Sequence, residues 1–116
     1  MAKMGTTRYY SDIQEEDIAK KFKGFKSSNS GAGKFVKSDV SVPSSSLLIE
    51  CKTVIKEKDS ISIKKEWLTK AKEEAFSQRL RNHCIAFNYG PYQPNYFVID
   101  EKLMKFLVEK LAEENE

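Results

Sequence analysis

The sequence predicts a mixed α/β (α+β) domain, in which helices flank a mixed five-stranded sheet in the order α-β-β-β-α-β-β-α. Three observations carry this prediction. A chain of 116 residues is the size of one domain with one core. Segments of helical period alternate with short runs rich in valine, isoleucine and aromatics. Serine, glycine and proline punctuate these runs at VPSSS and GPYQP, where turns are expected.

Taken in order, residues 1–10 read as a flexible arm, and residues 11–116 as the single folded domain. Ser11 or Asp12 is the expected N-cap of the first helix, in which Ile13, Ile18 and Phe22 recur at near-helical spacing. Gly24 supplies the stop. KSSNSGAGK, from Lys26 to Lys34, is a loop by composition. It is no P-loop, because its Gly-Lys is not followed by Ser or Thr.

FVKSDVSV and LLIECKTV, joined through VPSSS, form a predicted hairpin. A short strand is expected at Ile61–Ile63. KKEWLTKAKEEAFSQRL then reads as a helix with Leu68, Ala71 and Ala75 on one face and Trp67 as a core anchor. HCIAFNY and NYFVID supply the last two strands. EKLMKFLVEKLAEENE closes the chain as an amphipathic helix with Leu103, Phe106, Leu107 and Leu111 facing inward.

Composition narrows the function classes. Apolar residues make up 40% and charged residues 32%, without a low-complexity block, as expected of a globular domain. Two cysteines do not make a disulfide framework, and one histidine with no Cys-x-x-Cys excludes a structural zinc site. No stretch reaches the ~20 apolar residues of a membrane span, and none at the start resembles a signal peptide, so the expected location is cytoplasmic.

The net charge is only +3, but residues 18–38 hold six lysines and no acid. Such a segment suits a phosphate backbone, which makes Lys20, Lys21, Lys26, Lys34 and Lys37 candidate DNA contacts.

The chemistry concentrates in the hairpin. Side chains alternate faces along a strand, so Glu50 and Lys52 share a face with Leu48, and a hairpin through VPSSS brings Asp39 across from Glu50. Two facing carboxylates repel unless a cation lies between them. Mg²⁺, with Mn²⁺ as a substitute, suits these hard oxygen ligands, and the Cys51 carbonyl adds one more. Lys52 reaches the water beside such an ion, where its charge favours hydroxide and offsets charge on a phosphoryl transition state.

SDV at 38–40 and IECK at 49–52, behind a helix that opens with acids and ahead of a helix and two strands, resemble the PD-(D/E)XK nucleases. Within that superfamily the chain looks most like the Holliday junction resolvases of the archaeal type and their phage relatives. The likeness covers about Ile13 to Asp100. It implies a restriction-endonuclease-like core and a metal-dependent endonuclease that resolves four-way DNA junctions as a homodimer. Restriction or repair nicking enzymes of the same superfamily, or a binding protein without catalysis, are the alternatives.

The resemblance also implies roles: Asp39 and Glu50 as metal ligands and Lys52 as the water-activating lysine. It adds an acid from the first helix, Glu15 or Glu16, with Glu15 favoured because Ile18 and Phe22 hold it toward the buried edge. A loop serine, Ser30 ahead of Ser27 and Ser28, would contact the junction. Ser38 stands where the superfamily motif has its proline.

Overall fold

The computed structural model describes residues 3–27 and 39–116. They form three helices and five strands: α1 (Thr7–Phe22), β1 (Phe25–Lys26), β2 (Asp39–Val42), β3 (Leu47–Lys52), α2 (Lys65–Ser77), β4 (Asn82–Phe87), β5 (Tyr96–Ile99) and α3 (Glu101–Glu114). The strands lie side by side in sequence order, with β3 and β4 parallel and every other neighbouring pair antiparallel. The parallel step needs a long crossover, and α2 supplies it. The predicted mixed class holds, but the predicted string of elements matches only because an unpredicted strand, β1, stands in place of the strand expected at Ile61–Ile63.

The N-cap of helix α1 lies five to six residues earlier than expected. Thr6 is its N-cap, and its hydroxyl accepts from the Tyr9 amide at 3.2 Å, while Ser11 is buried inside the helix. The tyrosines that looked like part of an arm are therefore helical. At the other end the left-handed residue is Lys23 (φ 57°), and the Gly24 amide donates to the Ala19 carbonyl. Gly24 serves packing instead of φ: a Cβ there would lie 2.7 Å from the Ser41 carbonyl oxygen and 2.8 Å from a Val40 methyl.

β1 escaped the sequence reading because two exposed residues carry no periodic signal. It pairs Phe25 with Ser41 and Lys26 with Val40. Ile61–Ile63, conversely, is not a strand. Its alternation pairs with no strand of the sheet among the described residues. The hairpin turn is a short 3₁₀ segment, Pro43–Ser45, closed by Ser46 in the left-handed region.

Two layers cover the sheet. α1 lays Ile18 onto Val40, Val42, Ile49, Cys51, Cys84 and Ala86, the continuous core cluster. On the opposite face Ala71 and Ala75 of α2 approach β3 and β4, where Leu48 and Ile85 are wholly buried. Their small side chains permit this close helix-to-sheet contact. α3 departs from expectation: it buries no residue and makes no substantial contact with another element among the described residues. Leu103, Phe106, Leu107 and Leu111 do not face inward, because the α1 and α2 layers already occupy both faces of the sheet.

Candidate functional site

β2 and β3 pair so that Asp39 stands directly opposite Glu50. The register follows from the turn: Val42 pairs with Leu47 beside it, and each step outward matches Ser41 with Leu48 and Val40 with Ile49. Because the strand period is two, Ile49 and Cys51 enter the α1-side core while Leu48, Glu50 and Lys52 share the α2 side. The alternation of faces expected for LLIECK is thus borne out.

Burial gives these acids their character. Asp39 is 5% exposed and Glu15 only 1%. Desolvation pushes the Glu15 carboxyl up to about 7, against the pull of Arg8 and Lys26, with Asp12 and Asp39 adding to the rise. Glu50 is also raised, first by desolvation, and Asp39 contributes while Lys52 and Lys70 oppose. The Oε2 atoms of Glu15 and Glu50 are buried with no hydrogen-bond partner among the described residues. Two partially desolvated carboxylates across one rung, with a third acid felt electrostatically from α1, are a costly arrangement in the absence of a cation.

Of the two α1 acids, Glu15 is the one that senses Asp39. Glu16 points outward and pairs with Lys26 at 3.4 Å. The Glu50 Oε2, without a hydrogen-bond partner among the described residues, and the Asp39 carboxylate opposite it are hard oxygen donors of the kind that suit a divalent cation such as Mg²⁺. Among the described residues no three acid, histidine or cysteine side chains already converge as a ready-made cage. Asp39 and Glu50 would hold the ion from the sheet; Glu15, on α1 in the layer that packs on Cys51, senses Asp39 electrostatically and forms no third member of a cage with them.

Lys52 lies beside Glu50, Nζ to Oε1 at 3.9 Å, and its ammonium also sits over the Trp67 ring at 4.7 Å from the centroid. Trp67 is only half-buried, so instead of anchoring the core it walls the site from α2 and holds a cation. The Lys52 backbone is fixed from the other layer: Gln14 Nε2 donates to the Lys52 carbonyl at 2.9 Å and to Asn95 Oδ1 at 3.1 Å. The sequence reading missed Gln14. Its only signal was a polar residue on the buried side of α1, three positions before the charged pair formed by Asp17 and Lys21.

Tertiary structure changes the basic segment. Lys21 pairs with Asp17 at 3.0 Å, and Lys26 with Glu16 and, at 3.9 Å, Asp12. Acids of α1 therefore offset Lys21 from one turn back and Lys26 from across the α1–β1 contact, although both looked unneutralised in the linear sequence. Lys20 is exposed on the same helix. Ser28, Ser30, Lys34 and Lys37 lie outside the described residues, whereas Ser27 borders the site, its amide donating to the Asp39 carbonyl at 3.0 Å.

Cys51 and Cys84 are buried free thiols, as expected, and burial pushes the Cys84 thiol up to about 12. No helix is long and apolar enough to cross a membrane among the described residues. Comparison with family models, with curated proteins and with solved structures found no match to the chain.

Proposed function

We propose that the chain is a Mg²⁺-dependent DNA endonuclease of the PD-(D/E)XK kind that resolves four-way junctions. The observation that carries the reading is the Asp39–Glu50 rung with Lys52 two residues further along the same face. A binding protein has no use for desolvated acids directed at a phosphate backbone, which would repel them. A hydrolase does, because those acids bring a cation to the scissile group.

The bound ion would supply Lewis-acid polarisation and a more acidic water. The rest is done by the chain. Asp39 and Glu50 set the charge at the cut position, and the sheet ladder fixes their spacing without any cost of ordering at the moment of reaction. Lys52 orients the attacking water and offsets charge building on the phosphoryl oxygens. Trp67 and Glu50 hold the Lys52 ammonium at the rim of the site, and Gln14 fixes its backbone.

The test uses a four-way junction, a linear duplex and single strands of the same sequence, each with Mg²⁺ and with EDTA. Paired, metal-dependent nicks in the junction are expected. Glu50→Ala and Lys52→Ala should each lower the cutting rate by roughly 10²-fold to 10⁴-fold while retaining junction binding. Undiminished cutting by either variant would remove the site. Cutting confined to the linear duplex would keep the chemistry and replace the junction with another DNA target.

A further inference from the structure

Helix α3 carries an apolar stripe that no other element among the described residues covers. Leu103, Leu107 and Leu111 stack at four-residue spacing, and Met104 and Val108 form the adjacent row. Met104, Phe106, Leu107, Val108 and Leu111 are between 41% and 59% exposed, and the helix makes no substantial contact with another element among the described residues. Covering a large side chain completely removes roughly 150 to 200 Å² from water, so five half-bare ones leave on the order of 400 Å² of apolar surface. A patch of that size in a monomer is commonly an interaction site.

We propose that α3 pairs in antiparallel fashion with α3 of a second copy of this chain. The charge pattern selects this occupant and this direction. Before Glu109 the helix carries Glu101 against Lys102 and Lys105, a net +1; from Glu109 onward, Glu109, Glu113, Glu114 and Glu116 against Lys110 leave −3. Acids at the C-terminal end oppose the helix macrodipole, and the last turn has no basic residue to offset them.

An antiparallel copy lays its own Lys102 and Lys105, together with its positive helix end, beside those acids. A parallel copy would bring two acidic ends together. The stripe is self-complementary about Leu107: in the antiparallel register Leu103 meets the second copy's Leu111, and the two Leu107 side chains meet on the two-fold axis. With flanking lysines and glutamates as a polar rim, the contact approaches the ~800 Å² per partner of a standard specific interface. Lys110, which lies over the Phe106 ring at 5.5 Å and pairs with Glu113 at 3.3 Å, belongs to that rim.

The pairing stands on α3 alone and does not depend on the nuclease reading. Sedimentation equilibrium of the whole chain over a roughly hundredfold concentration range should give twice the 13.3 kDa chain mass. Leu107→Glu should give the single mass, with an unchanged circular dichroism spectrum because no core residue is altered. Glu50→Ala should leave the dimer intact. Direction is read by oxidising an equimolar mixture of Leu103→Cys and Leu111→Cys chains, which should cross-link to each other and not to themselves. A single mass for the unaltered chain throughout, a dimer that survives Leu107→Glu, or self-cross-linking of Leu103→Cys would each overturn the proposal.

Discussion

At the scale of single residues, the site is a set of desolvated carboxylates, and its titration should be visible as stability. The folded Glu15 carboxyl titrates near 7, above the ordinary 4.5 of the unfolded chain, so between these values the folded state holds more protons than the unfolded one. Stability in EDTA should therefore fall as the pH rises from about 4.5 to 7 and then level off. Glu50 adds to the same trend. Glu15→Gln, which keeps the shape and removes the charge, should flatten the slope and raise stability at pH 8 by up to about 3 kcal/mol. Divalent cation should recover most of the loss in the unaltered chain and little in the variant. Thermal melts at several pH values, with and without Mg²⁺, check both statements. A stability that rises through this window would show that Glu15 is not desolvated as described.

At the scale of elements, the end of α1 and its packing on β2 make opposite demands on neighbouring residues. Lys23 occupies the left-handed region without being glycine, and Lys23→Gly should stabilise the fold by roughly 0.5 to 1 kcal/mol. Gly24 needs no such freedom but has no room for a Cβ against the Ser41 carbonyl. Gly24→Ala should therefore cost about 1 to 3 kcal/mol, with the larger figure if β2 cannot move. Denaturant midpoints of the two variants should move in opposite directions. The strain matters for the site, because α1 carries Glu15 and Gln14 and β2 carries Asp39. A shift of α1 away from β2 should slow cutting more than it weakens binding.

At the scale of the whole molecule, the net charge of +3 conceals a chain whose lysines near the site are partly matched by acids of α1. Salt dependence of DNA binding separates the matched lysines from the unmatched. Lys20→Ala should reduce the slope of log affinity against log salt by about 1 if it meets a phosphate. Lys21→Ala and Lys26→Ala should change it less, because each removal also releases an acid. Equal effects of all three would indicate that the ion pairs with α1 yield to DNA.

How much of this was legible follows the range over which each signal acts. The hairpin register could be read directly, since a turn signal and a period of two fix which side chains oppose, and Asp39 came out opposite Glu50. The faces of LLIECK followed from the same alternation. α2 was readable from its alanines, and the amphipathic pattern of α3 was correct as a pattern. What α3 packs against was not, because periodicity defines an apolar face but says nothing of whether the chain's own sheet has a place for it.

β1 and Ile61–Ile63 were misjudged for a related reason. A strand exists only where a partner edge is vacant, and that is a property of the assembled sheet. The burial of Glu15 over Glu16 followed from the helical spacing of Ile18 and Phe22, but the lysine neutralisation and the Lys52–Trp67 contact were invisible, since each joins residues brought together only by folding. The sequence by itself determined the mixed class, the three helices, the β2–β3 hairpin with its two faces and the acid, acid, lysine set. Tertiary structure decided which carboxylates lose their water, which cations are matched, and which apolar face is left bare, because desolvation and pairing depend on distances that local periodicity does not encode.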